Sequence, residues 1–392
     1  MKTDVLVVGG GVTGCAAAYF LAKAGVEVVL AERHDLNTQA SGRNAGGLHG
    51  QIQHEPFLEL GEAWAREFGP SLALMRDSIR LWQELERELA TDLEVSVCGG
   101  LVVAADERQL RDLERKAAIE REFGGEVELL GRTELRRVAP YVSERMAGGL
   151  LCPLEGKANP LLAAPALARA AAARGARLLL RTEVLAAGPV RGGWRAETSA
   201  GAVECGRVVA CAGAETGALA ALAGAALEVE SHPIQAAATE ALPPLVAHLV
   251  YFAGGRLTLK QARQGALLVG GGWPARRDRR TGRLAVELAG LAENLRQAVE
   301  VVPAAGGASL LRTWTGVCPG LPDQRPAIGE VAPGFLVSLF PFLGFTCGPL
   351  MGLLAARLAL GEEPGYDLRP FTPERLARPA PPPRPRARPA AA

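Results

Sequence analysis

Residues 3–14 read "TDVLVVGGGVTG", a run of valines and one leucine that stops at three successive glycines. A short apolar run rich in β-branched residues and closed by glycine reads as a buried strand. Residues 12–24 read as a helix that stops at Gly25, a residue suited to the left-handed position after a helix. Between strand and helix the glycines fall at Gly9, Gly11 and Gly14, the G-x-G-x-x-G spacing. Gly9 makes the tight turn, Gly11 lets a pyrophosphate approach the backbone, and Gly14 lets helix and strand pack closely. The N–H groups at the helix start, Val12 and Thr13, then face the phosphates. The next apolar run, "VEVVLAER" at 26–33, reads as a second buried strand. It ends on Glu32 and Arg33, with Glu32 eighteen residues past Gly14. An acid there accepts ribose hydroxyls and repels a 2′-phosphate, which disfavours NADP. The motif alone does not separate NAD from FAD.

A second stretch separates them. Residues 41–50, "SGRNAGGLHG", hold four glycines and one bulky apolar side chain. Neither a helix nor an ordinary strand is written this way, because glycine costs about 0.5–1 kcal/mol relative to alanine in either. Backbone this bare suits a flavin, whose pyrophosphate and ring run along the chain where any Cβ would clash.

The chain resembles the D-amino-acid oxidase superfamily of FAD enzymes. Within it, it resembles most the group of sarcosine oxidase β-subunit, glycine oxidase, opine oxidase and D-hydroxyproline dehydrogenase. The matching pieces are "VVGGGVTGCAAAYFLAKAGVEVVLAER", "ASGRNAGGLHG", "GGLLCPLEGKANP", "RVVACAGAET", "GALLVGGG", "WTGVCPGLPDQRPAIG" and "FPFLGFTCGPLMG". The resemblance implies an α/β fold: a Rossmann-like FAD-binding domain interleaved with an α+β substrate domain built on a mixed or antiparallel sheet. Its expected parts are 1–85, 151–225 and 318–375 for the FAD-binding domain and 86–150 and 226–317 for the substrate domain. A proline-rich tail at 376–392 is expected to be disordered.

The resemblance also implies site residues. Ser41, Arg43, Asn44, Ala45, Gly46 and Gly47 would hold the FAD pyrophosphate and ring. Leu48 and His49 would lie at the ring edge, His49 facing substrate as a contact or proton relay. Val184 would offer backbone to adenine, and Ala212 and Gly213 would form a small-residue turn beside the cofactor. Gly344, Phe345, Thr346 and Cys347 would present a helix N-terminus to the flavin pyrimidine, where reduced flavin carries negative charge. Lys260 matches a lysine that approaches flavin N5 in sarcosine-oxidase-like enzymes. Relatives with small amino-acid substrates carry a carboxylate-binding arginine where Cys318 and Phe342 stand here. Arg312 and Arg256 are the substitutes considered, Arg256 because its even spacing from Lys260 would place both on one strand face. Cys318 sits two positions from the cysteine that binds flavin covalently in some relatives, so non-covalent FAD is expected. Tyr251 and Trp314 read as core packing.

Composition narrows the rest. The 392 residues are 48% hydrophobic and 22% charged, with net charge +1, so no bulk field attracts nucleic acid. Seven scattered cysteines without a C-x-x-C pair argue against a disulfide framework and against a metal or iron–sulfur site. No signal peptide and no spanning helix are read, so a cytoplasmic protein is expected, peripheral to a membrane only through partners. The implied function is FAD-dependent oxidation of a C–N bond in an amino acid or secondary amine: a D-amino acid, D-hydroxyproline, opine or sarcosine-like compound. Hydride passes to flavin N5 and the imine is hydrolysed. Partner subunits carrying an iron–sulfur cluster or a second flavin would take the electrons. The alternatives are a single-subunit oxidase making hydrogen peroxide and a non-catalytic flavin-binding subunit.

Overall fold

The strand expected first runs from Lys2 to Val8, and the helix after it from Val12 to Lys23. The structure, a computed structural model, describes residues 1–376. The tail expectation therefore lies outside the described residues, apart from Leu376, which is buried at the end of a short 3₁₀ turn.

The first sheet is built outward from that strand. Lys2–Val8 pairs in parallel with Val28–Ala31 on one side and Gly201–Ala210 on the other. Arg177–Leu179 extends the first side, and Phe335–Leu339 the second, both in parallel. Ala327–Ala332 closes the edge antiparallel. The hairpin Val184–Val190 and Gly193–Thr198 pairs with the first half of Gly201–Ala210. The central strands are apolar on both faces, as parallel strands covered on both sides must be. One face is covered by the helices Val12–Lys23, Ala163–Ala172, Ser71–Glu88 and Gly344–Leu360. Small residues let the first and last of these cross closely. A Cβ at Gly352 would stand 2.6 Å from the Ala16 Cβ.

The second sheet has eight strands in the order 310–320, 230–241, 266–270, 258–261, 249–252, 100–104, 148–152, 128–131. All neighbours are antiparallel except Leu249–Phe252 with Gly100–Ala104, which run in parallel. A third, small sheet joins Gly47–Leu48, Gly156–Lys157 and Ser96–Val97. It ties the bare stretch at 41–50 to the second sheet.

Three local expectations change. The stretch 41–50 does contain regular structure: a single helical turn, Ala40–Arg43, and the two-residue strand Gly47–Leu48. The run "RLLLRTEV" is no continuous strand. It stops at Leu179 because Arg181 turns with φ 52° and Thr182 donates its N–H to the Glu32 carbonyl. Arg256 shares no strand face with Lys260. It precedes the strand Thr258–Gln261 and is ion-paired with Glu55 near the surface.

Candidate active site

The strands Lys2–Val8 and Gly201–Ala210 end side by side, with Val8 opposite Ala210. From the first the chain continues through a helix to the neighbouring strand Val28–Ala31, and from the second through the short helix Thr216–Leu222 into the second sheet. A crevice at such a switch point is where doubly wound sheets bind ligands. A cavity of about 770 Å³ opens there, a volume suited to a cofactor-sized ligand. Its wall carries Gly9, Gly11 and Thr13, then Glu32 and Arg33, then Ser41, Arg43 and Asn44. Val184, Ala212, Gly213, Gly344 and Phe345 complete the expected set that the structure brings together around it.

The crevice is shaped for a ligand that lies on backbone. Gly9 has φ +116°, and a Cβ there would stand 2.5 Å from the Cys211 carbonyl oxygen. A Cβ at Gly11 would stand 2.9 Å from Ser41 Oγ. That hydroxyl accepts the Val12 N–H at 3.0 Å, so the two glycine segments interlock. The N–H groups of Gly11 and Thr13 have no acceptor among the described residues. They are the orphan donors that a helix start leaves for an anion. Glu32 Oε2 accepts the Gly10 N–H at 2.7 Å and Oε1 the His34 N–H at 2.7 Å. Glu32 therefore braces the loop and still presents free lone pairs to the cavity. Such donors and bare turns fit a dinucleotide flavin: Gly9–Thr13 for its pyrophosphate, Glu32 for its ribose.

The remaining expected residues stand behind this wall. Val12 and Gly14 are buried under the loop. Gly46 turns with φ +80°, and its carbonyl accepts the Ala158 N–H. Gly47 lies opposite Lys157, whose Nζ donates to the Gln261 carbonyl at 2.6 Å. Ala45 joins the helical turn to this strand, and Leu48 is wholly buried. Thr346 Oγ1 donates to the Gly47 carbonyl at 3.2 Å and accepts the His49 N–H at 2.9 Å. The last helix is thus fastened to the bare stretch by one hydroxyl. Cys347 is not a free donor, since its N–H is bound to the Leu343 carbonyl at 3.0 Å. Gly344 and Phe345 are the members of that set on the cavity wall.

Of the three residues considered for chemistry, two lie in one neighbourhood, and neither is among the residues of the cavity wall. His49 and Lys260 lie near one another, Lys260 almost fully buried. Burial, with Lys260 beside it, pushes the His49 imidazole down to about 3, so it is neutral at working pH. Burial, with Lys157 nearby, pushes Lys260 down to about 7. Arg312 is elsewhere. It is exposed on the strand Leu310–Gly320, three residues before Thr315, where that strand meets the cavity. Other cavity cations are Arg277 and Arg283, on the hairpin 276–285, and neither has a carboxylate partner among the described residues.

Reading the sequence missed those two arginines, because "RRDRRTGR" looks like an ordinary solvated turn. It also missed Glu155, which sits in the quoted piece "PLEGK" as an apparent turn acid. Tyr251 reads in the sequence as core packing, yet its hydroxyl lies 2.7 Å from His49 Nδ1. The proximity of residues 49, 155 and 251 has no local signal.

The family described as FAD dependent oxidoreductase matches residues 4–358. Glycine oxidase of Geobacillus kaustophilus is 29% identical over 378 residues, covering 95% of this chain and 96% of that protein. Its crystal structure covers 95% of this chain and 98% of its own at a TM-score of 0.84. Sarcosine oxidase subunit beta of Rhizobium meliloti is 28% identical over 395 residues, covering 96% of this chain and 88% of the relative. The crystal structure of L-proline dehydrogenase from P. horikoshii, 25% identical, covers 95% of this chain and 97% of its own at a TM-score of 0.84.

Proposed function

This chain belongs to the family of FAD-dependent oxidoreductases, and on that premise we propose that it oxidises the C–N bond of an amino acid or secondary amine. The observation that carries the reading is the cavity of about 770 Å³ walled by both bare glycine segments, with the half-buried His49 following on the second of them, hydrogen-bonded to Tyr251 at 2.7 Å. The flavin, when bound, supplies the hydride acceptor. Gly9, Gly11 and Thr13 would hold its pyrophosphate, Glu32 its ribose, and Gly344 and Phe345 its pyrimidine edge. His49 offers a ring nitrogen to the substrate amine, which must be neutral before a hydride can leave its α-carbon. Arg277 and Arg283, both on the cavity wall, would receive a substrate carboxylate in place of the arginine expected where Cys318 and Phe342 stand. The likeness to a β-subunit supports assembly with partner subunits that take the electrons.

Anaerobic bleaching of the visible flavin spectrum tests this reading. The panel is sarcosine, glycine, D-alanine, D-proline, cis-4-hydroxy-D-proline and octopine, added singly. Bleaching by one of them is the expected result. A full flavin spectrum that none of them changes overturns the proposed substrate class.

Two further outcomes are expected. Acid precipitation should leave all the FAD in the supernatant, as non-covalent binding requires. The physical reason is that burial holds Cys318 at about 12 and Cys347 well above its usual range. Neither offers the thiolate that a covalent link needs. Colour retained in the pellet would contradict this. Glu32→Ala should weaken FAD binding by about 10–100-fold, because it strips the ribose acceptor and orphans two backbone donors worth about 1–3 kcal/mol. Titration of FAD into flavin-free protein measures it. No helix among the described residues is long and apolar enough to cross a membrane.

A further inference from the structure

Beside His49 lie two polar groups that the oxidation as described does not use, the half-buried Tyr251 and the buried Glu155. His49 Nδ1 is 2.7 Å from the Tyr251 hydroxyl. That hydroxyl faces the Glu155 carboxylate. Glu155 is wholly buried. Its Oε1 accepts the N–H groups of Gly50 at 2.6 Å and Gln51 at 3.0 Å, and its Oε2 accepts Gln51 Nε2 at 3.2 Å. Every one of these protein partners can only donate, so the row is written for a carboxylate. Tyr251 must then donate to Glu155 and accept from His49. His49 therefore carries its proton on Nδ1 and keeps a lone pair on Nε2. That nitrogen is aimed over the bare face of Gly47, where a Cβ would stand 2.7 Å from it.

We infer that Glu155, through Tyr251 and His49, receives the proton that the substrate amine must lose. This rests on the proposed function above and adds two positioning residues to it. The transfer balances without an oxidant. The substrate N–H bond breaks and Nε2–H forms on His49. Nδ1–H breaks and the Tyr251 O–H forms, while the original Tyr251 O–H passes its proton to Glu155. The row is then reversed in sense, with Glu155 donating to Tyr251 and Tyr251 to His49. It ends there. Gln51 follows, with its Oε1 accepting from Lys116 at 3.3 Å, and an amide holds no titrating proton. The proton leaves by the way it came.

The charged and titratable groups around the row are few. Lys260 faces His49, with Lys157 beyond it. Cys98 and Cys152 face Tyr251, and burial keeps both as thiols. Lys116 faces Glu155. Burial raises Glu155 to about 7, so its carboxylate form, the one able to accept, prevails above that pH. The rate of bleaching is expected to rise with pH through about 7.

Two measurements test the relay, one of them independent of any substrate. Nitrogen-15 NMR of the five histidines, with His49 assigned by its loss in His49→Gln, reads the tautomer. Nδ1–H is expected at pH 8, where Glu155 is the carboxylate, in the purified holoprotein, and a shift toward Nε2–H in Tyr251→Phe. An Nε2–H tautomer in the unaltered protein at pH 8 overturns the inference, whatever the substrate proves to be. The second measurement is anaerobic flavin reduction. Glu155→Gln and Tyr251→Phe should each slow it by about 10²-fold or more, and Glu155→Gln should flatten the rise near pH 7. Lys260→Met, which removes the other group titrating there, should keep the rise. Undiminished reduction with an unchanged pH profile in both relay variants, each retaining flavin, sinks the relay and leaves the proposed function standing. Failure of every substrate sinks the proposed function and leaves the tautomer result to decide the relay.

Discussion

Gly14→Ala is expected to yield a protein that retains almost no FAD. Gly14 is the third glycine of the first turn, and its Cα faces the Gly9 carbonyl. A Cβ there would run into that oxygen, and would stand 3.1 Å from the Gly9 carbonyl carbon and 3.4 Å from the Cys211 Cβ. The obstacle is backbone on one side and a buried side chain on the other, so no rotamer relieves it. Helix and strand must part, which costs about 1–3 kcal/mol or more. The displacement falls on the segment that aims the Gly11 and Thr13 N–H groups. Each 1.4 kcal/mol lost from binding is a tenfold weaker complex. Flavin content per protein after gel filtration, with a titration of added FAD, measures the effect. Wild-type flavin content would mean that the tight packing of this turn does not hold the cofactor site.

The second large effect lies away from the cavity. Lys116 and Glu120 are both buried on the helix Glu107–Glu122, and Lys116 Nζ donates to Glu120 Oε1 at 2.6 Å. The same Oε1 accepts the Ile52 N–H at 2.7 Å. The pair therefore holds the segment just past the bare stretch, the segment that also carries Gln51. Lys116→Met leaves a buried carboxylate without its cation, and Glu120 Oε2 already lacks a partner among the described residues. Breaking such a pair from one side costs about 3–5 kcal/mol. Removing both charges costs far less. Lys116→Met should lower the unfolding midpoint strongly. Lys116→Met with Glu120→Gln should recover most of it, since the amide oxygen introduced by the second change still accepts from the Ile52 N–H. A single variant as stable as the unaltered protein would show that the pair contributes nothing.

Much of the fold was legible from local patterns. The family matched over residues 4–358 bears out the resemblance drawn from the quoted pieces, and the matched crystal structures bear out the α/β class. The break between the helices His54–Phe68 and Ser71–Glu88 falls at Gly69–Pro70, as the residues there indicate. The strand–glycine–helix unit is legible because its rule is local: a turn without side chains must join a strand to a helix start. The stretch 41–50 is legible for its bareness, although its own short helical turn is not. Arg181 shows why the run "RLLLRTEV" misleads. Its side chains suit a strand, but a tertiary bond from Thr182 to the Glu32 carbonyl ends it early.

The amino-acid sequence by itself determined the flavin-binding class of this protein, because the strand pattern, the first glycine motif, one acid and the second bare stretch all fall within the first 50 residues. Only the tertiary structure decided what surrounds the reacting centre. Gly50 and Glu155 are 105 residues apart, and His49 and Tyr251 are 202 apart. A turn acid and a packing tyrosine acquire their meaning when folding removes water from both and leaves them one another as partners. Arg312 and Arg256 show the converse. Each has the right chemistry for a carboxylate, and the fold turns one to solvent and pairs the other with Glu55. Charge type is written in the residue, whereas burial, partner and direction are properties of the packed chain.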